Sequence, residues 1–255
     1  MKHRYQTFVR SGNPPMRVVL THRNAVWLDL TDPDAYNNSI FSKNRKTGTE
    51  PAMTHIQGTH HMNNVYAVIS DIHGDSKCLS SALKTLESYD ISFYLLLGDL
   101  INHGPRNGLS REYNPLGIPE LLNPLRHKII AVRGNCDSEV DQKLCEFPLT
   151  APVNTLIIGG HRAVMTHGHI WKPADTEKLA LSRNDIFMSG HTHMPVLERN
   201  SRGVIIFNPG SLTFPKGPNG IHTMGIIDEK SGTVSLLDIS GKKLNTVSFL
   251  EQDSF

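Results

Sequence analysis

Residues 65–75, VYAVISDIHGD, decide the fold. Val65 to Ser70 is a short apolar, β-branched run, the composition of a buried strand. Asp71-Ile72-His73-Gly74 closes it as a turn, and beyond the turn Leu79, Ala82, Leu83 and Leu86 recur at helical spacing. A second apolar strand, Phe93 to Leu97, ends in Gly98-Asp99. A third, Ile129 to Val132, ends in RGNCD. Between them residues 119–126 have helical character, weakened by Pro124. Strands alternating with helices in this way predict a parallel sheet with crossover helices. Downstream, strands are expected at 153–158, 161–166, 186–189, 196–199, 204–207, 223–228 and 233–239, with a third helix at about 174–183. So strand-rich a second half implies a second sheet packed on the first.

The chemistry sits where strands end. Asp71 and His73 follow the first strand, Asp99 the second and Asn135 the third. His167-Gly168-His169 follows AVMT, and His191-Thr192-His193 follows IFMSG. In open α/β sheets ligands bind outside the carboxyl ends of strands. Extended backbone puts residues i and i+2 on one face. Asp71 with His73, and His191 with His193, can therefore each converge on one ion. Taken singly these motifs mean little: a lone DxH is usually a satisfied loop pair, and GNCD alone is a turn. Together, each behind an apolar strand, they are hard to obtain by accident. Mixed carboxylate, amide and imidazole ligands suit Mn²⁺, Fe²⁺, Zn²⁺ or Co²⁺ rather than Ca²⁺. No thiolate is needed, so a structural zinc knot is not indicated. Seven ligands are too many for one ion and natural for two that share a carboxylate.

The series DIHGD, GDLINHGPRN, VRGNCD, THGH, GHTHMP and NPGS resembles that of the calcineurin-like metallophosphoesterase superfamily. Within it, GDLINHGPRN, AVRGNCDSEVDQ and FNPGS closely resemble the bacterial YfcE-type phosphodiesterases. The match spans roughly residues 62–250. The resemblance implies an α/β fold, a four-layer αββα sandwich of two packed mixed sheets with a dinuclear metal site at the strand carboxyl ends. It implies that Asp71, His73 and His193 hold one metal, that Asn135, His167 and His191 hold the other, and that Asp99 bridges them. It further implies hydrolysis of a small-molecule phosphodiester by a metal-bridging hydroxide. Asp99, Asn135 and His169 are the residues to which a catalytic part is assigned. Mn²⁺ is the first choice for the two divalent ions, with Zn²⁺, Fe²⁺, Co²⁺ or Ni²⁺ as alternatives.

Many superfamily members carry His where this chain has Cys136, and that His is thought to assist the leaving group. The YfcE-type proteins share the GNCD form, so Cys136 marks a subgroup. Its simplest role is that of a small packed residue; a thiolate there could also bind metal. His169 and His103 are the remaining candidate proton donors. Charge counting leans the same way as the resemblance. Two divalent ions, two aspartates and a hydroxide leave one positive charge, which a diester monoanion cancels and a monoester dianion overshoots. Nearby cations such as Arg133 or Lys216 could reverse that. The competing readings are a phosphomonoesterase on small phosphorylated molecules and a protein-interaction scaffold with the same fold. Seven competent donors argue against the scaffold.

Composition narrows the rest. The chain has 255 residues, 26 Lys/Arg and 24 Asp/Glu, a net charge of +2. No global charge draws it to nucleic acid or membrane, and no basic stripe interleaved with aromatics marks nucleic-acid binding. No apolar run approaches the roughly 20 residues of a membrane helix. Three cysteines are too few for a disulfide scaffold, so a cytoplasmic setting is expected. Relatives of the family point to a homo-oligomer. Residues 1–61 differ from the rest, with eight Lys/Arg against four Asp/Glu and several turn signals. Apart from the burst Val18 to Leu20 they offer little to bury, so they are expected to be a poorly structured basic extension, or sequence upstream of a true start at Met62. Residues 62–255 are expected to form the metallophosphoesterase domain.

Overall fold

A computed structural model describes residues 7–10, 16–20, 25–29 and 64–250. The chain divides into two units, Met1–Thr59 and His60–Phe255. In the first, β1 (Thr7–Arg10), β2 (Met16–Leu20) and β3 (Ala25–Asp29) form an antiparallel sheet in the order β1-β2-β3. The Val18–Leu20 burst lies in its central strand; the sequence pattern predicts no regular element on either side of it. The reading of residues 42–61 as a linker, and of Met62 as a start, lies outside the described residues.

The second unit is built on two mixed sheets. The first contains β4 (Val65–Ile69), β5 (Phe93–Leu96) and β6 (Ile129–Ala131), all parallel. It is extended by the antiparallel strands β12 (Thr223–Asp228), β13 (Thr233–Asp238) and β14 (Lys243–Ser248), in the order β14-β13-β12-β4-β5-β6. The other sheet has the order β10-β11-β9-β8-β7. Here β8 (His161–Thr166), β9 (Ile186–Met188) and β11 (Ile205–Asn208) run parallel. The strands β7 (Val153–Ile158) and β10 (Val196–Arg199) close its edges antiparallel. β14 escapes the sequence pattern because its residues are largely exposed and show no apolar alternation; backbone pairing with β13 defines it.

Strand alternation sorts the core into layers. Tyr66 and Val68 of β4, with Leu95 and Val132, pack against Met165, Met188 and Phe207 of the second sheet. The alternate residues Ala67 and Ile69 face outward onto Leu79, Ala82 and Leu86 of α1 (Ser76–Leu86) and onto Leu122 of α2 (Gly117–Leu122). The α1 stripe read from Leu79, Ala82 and Leu86 is its buried face. α2 stops before Pro124, and a 3₁₀ turn over Asn123–Lys128 replaces the last part of the expected helix. A short α3 (Glu139–Leu144), capped by Ser138, has no apolar stripe and so left no periodic signal.

The outer face of the second sheet departs from expectation. Residues 174–183 do not form an α-helix. Pro173–Thr176 makes a 3₁₀ turn, and Ala180 at φ 51° breaks the right-handed path. The segment is still apolar where it matters: Leu179 and Leu181 cover Val164, Phe187 and Ile206. The fourth layer is thus a loop with one 3₁₀ turn. No helix among the described residues is long and apolar enough to cross a membrane.

Candidate metal centre

The loops after β4, β5, β6, β8, β9 and β11 bring the candidate residues together. Five of them, Asp71, His73, Asp99, His191 and His193, have φ between 49° and 66°. That left-handed conformation is uncommon for residues with a Cβ and persists where surrounding structure enforces it. Here the enforcement is visible. Asp71 N–H donates to Gly98 O (3.1 Å) and His73 N–H to Asp99 O (3.0 Å), tying the first loop to the second. His191 N–H donates to Asp71 Oδ2 (2.9 Å), which also accepts Ser70 Oγ–H (2.6 Å).

Three imidazoles are oriented by the same device. His73 Nδ1–H donates to Asn102 O (2.8 Å), His167 Nδ1–H to Leu97 O (2.7 Å) and His193 Nδ1–H to Phe214 O (2.9 Å). In the neutral ring each bond fixes the tautomer that leaves Nε2 with a free lone pair. Those lone pairs then meet acceptors. His73 Nε2 lies 3.1 Å from His193 Nε2, with Asp71 Oδ1 at 3.7 and 3.3 Å from the two. Asp71 Oδ1 is buried and has no hydrogen-bond donor. His167 Nε2 faces Asn135 Oδ1 at 3.1 Å and Asp99 Oδ2 at 3.3 Å. Asp99 Oδ2 also lies 3.8 Å from His73 Nε2, so it stands between the two groups. The first set is buried, and the second joins the buried Asp99 and His167 to the exposed Asn135. Convergent acceptors of this kind are what a pair of cations would satisfy. The residues present fit divalent metals.

The charges are arranged accordingly. Burial opposes ionisation of Asp99, but the His167 ring and the Cys136 N–H hold its carboxyl well below the usual carboxylate range. Burial likewise opposes charge on His167, yet Asp99 and Asp71 raise it to about 9. Burial lowers His73 and His191.

Several residues to which the motifs assign no metal or catalytic part hold this geometry. Asp137 is the main one. Its Oδ2 accepts the N–H groups of Asp99 (2.8 Å) and Gly134 (2.7 Å), and its Oδ1 accepts Leu100 N–H (2.9 Å). One buried carboxylate thereby joins the loops after β5 and β6; burial pushes its pKa up to about 6. Asn208 donates to Gly190 O and Thr192 Oγ1, and Ser211 to Asp71 O, so the NPGS stretch braces two ligand loops. Gly134 and Gly190 are required by close approach. A Cβ on Gly134 would strike Asp99 Oδ1, and one on Gly190 would strike Ser70 Oγ.

The remaining candidates fall in different places. His191 lies beside His167, ring centroids 5.2 Å apart, but outside the tightest groups. Cys136 Sγ does join one such group, with His73 and Asp99, and burial followed by the Asp99 charge pushes its thiol up to about 12. His169 packs near His167 and His191, with Nδ1 buried and unpartnered, and His103 stacks edge-on against Tyr113; neither lines the cleft above the centre. Arg133 is turned away, to Asp137 O and Glu139. Lys216 does line the cleft.

Residues 65–232 match the model of the calcineurin-like phosphoesterase superfamily domain. The chain belongs to this superfamily. Phosphodiesterase YfcE of Escherichia coli K12 is 47% identical over 151 residues, covering 59% of this chain and 80% of that protein. The solved structure of Yfce, a phosphoesterase from E. coli, superposes with a TM-score of 0.68 at 38% identity, over 73% of this chain and all of that one. A zinc-bound Vps29 from Entamoeba histolytica shares the fold, with a TM-score of 0.51 at 21% identity over 73% of this chain and 99% of that one. In this calcineurin-like phosphoesterase all seven candidate donors fall within the matched residues 65–232.

Proposed function

We propose that the chain is a dinuclear-metal phosphodiesterase acting on small-molecule phosphodiesters. The observation that carries it is the pair of convergent acceptor sets joined through Asp99 Oδ2. Asp71, His73 and His193 would hold one ion, Asn135, His167 and His191 the other, and Asp99 both. When bound, such ions supply Lewis acidity at phosphorus and lower the pKa of water. The chain's own residues do the positioning. The three Nδ1–carbonyl bonds hold the imidazoles ready, Asp137 holds Asp99 in its strained turn, and Asn135 presents Oδ1 while its Nδ2 donates to Cys136 Sγ (3.1 Å). Mixed oxygen and imidazole donors suit Mn²⁺, the first choice, as they do Fe²⁺, Zn²⁺ or Co²⁺. Three free cysteines fit a cytoplasmic setting, and a homo-oligomer is the proposed assembly.

The test is to strip the protein with chelator, reload it with single metals and assay bis(p-nitrophenyl) phosphate beside p-nitrophenyl phosphate. Stripped protein should be inactive, Mn²⁺ should restore the highest rate, and the diester should be the better substrate. Metal-independent hydrolysis, or a faster monoester, would overturn the reading.

A further inference from the structure

We infer that the cleft selects phosphodiesters bearing a second, terminal phosphate group, which Arg106 and Lys216 hold. This rests on the phosphodiesterase reading above. The cleft over the metal centre has a volume of about 1070 Å³. That matches a drug-sized organic molecule, the usual range being ~300–1,000 Å³, and far exceeds one phosphoryl group. Among the described residues its only acidic lining residue is Asp99, a candidate metal ligand. Beyond the centre, the charged lining side chains among the described residues are Arg106 and Lys216. The ion pairs among the described residues use other cations: Lys77, Arg126, Arg133, Lys178 and Arg202.

The two cations arrive from loops far apart in sequence, and each loop is tied to the metal centre. Asn102, whose carbonyl orients His73, also caps the Arg106 loop by accepting Gly104 N–H (2.9 Å). Phe214, whose carbonyl orients His193, is two residues before Lys216, and Lys216 N–H donates back to His193 O (3.0 Å). The ring of Phe214 offers the same cleft an apolar wall. A diester monoanion already balances the centre's single positive charge. Two further cations then call for two further negative charges, which is the charge of a terminal phosphomonoester near neutral pH. Both cations are solvent-exposed, so the selectivity they confer is moderate and sensitive to salt.

The test uses the full chain loaded with Mn²⁺ and two probes, thymidine 5′-(p-nitrophenyl phosphate) and its 3′-phosphorylated counterpart. The expected result is kcat/KM about tenfold higher for the 3′-phosphorylated probe, expressed mainly in KM and shrinking as salt rises. In R106A/K216A the ratio of the two kcat/KM values should approach one. A wild-type ratio near one, or a ratio that survives in the double variant, would overturn the inference while leaving the phosphodiesterase reading intact. Failure on both diesters with turnover of p-nitrophenyl phosphate would overturn that reading and this one with it. The wild-type ratio and its salt dependence decide the matter even if the double variant folds poorly.

Discussion

Asp99 concentrates the chemistry of this protein. Its Oδ1 is engaged by Cys136 N–H at 2.8 Å, so Oδ2 is the atom left to face His73 and His167. Asp99→Asn keeps the shape and removes the charge between the two acceptor sets. It should loosen both ions and nearly abolish turnover, with metal content by mass spectrometry and rate falling together; two tightly held metals at full activity would refute the bridging assignment. The neighbouring Cys136 decides a second outcome. The cleft is lined by two imidazoles, His191 and His193, and both are candidate ligands. Among the described residues no further imidazole is left in that lining to protonate a leaving group. General-acid help typically supplies about 10²–10⁴-fold, so aryl diesters should be hydrolysed far faster than alkyl diesters. Cys136→His should flatten that dependence on leaving-group pKa. A wild-type rate that is flat across leaving groups, with chemistry rate-limiting, would show that a donor is already in place.

Connections between elements are where the site is made rigid. Strands β5 and β6 are neighbours in the sheet, but their following loops are joined by Asp137 rather than by strand pairing. In Asp137→Asn the amide oxygen replaces only one of the two carboxylate oxygens, so the new NH₂ faces at least one of the three N–H donors. A buried group left unsatisfied costs about 1–3 kcal/mol. The variant should therefore lose about that much stability in urea unfolding and also bind metal more weakly. Unchanged metal affinity despite the stability loss would mean that Asp137 braces the fold but not the centre. Helix α1 shows the same economy: Asp75, two residues after His73, caps it through Cys78 N–H at 2.9 Å, so the ligand turn and the helix start are one structure.

Taken as a whole molecule, the chain has two units, and the superfamily match begins at residue 65, inside the second. All the candidate metal ligands and cleft residues lie there as well. Deletion of residues 1–61 should leave diester hydrolysis and metal content at wild-type levels per mole of folded protein. Loss of activity in the truncated protein, with its circular dichroism unchanged, would show that the first unit contributes to catalysis.

The apolar runs Val65–Ser70, Phe93–Leu97 and Ile129–Val132 were enough, from sequence alone, to announce β4, β5 and β6, because strands buried on both faces must be continuously apolar. Their polar ends marked the candidate donors, because such motifs, each usually a satisfied loop pair or turn when alone, are hard to obtain by accident behind one apolar strand after another. Residues 174–183, expected as a helix, form a loop, since Leu179 and Leu181 bury equally well once Pro173 and Ala180 break the backbone path. Other facts depended on proximity across the chain. Asp137 became a brace, and Arg106 and Lys216 came to share one cleft, only when separate loops met. Sequence records what each residue can do locally. Which donors, carbonyls and cations meet is decided by the packing of two sheets, whose contacts join positions as distant as His73 and His193.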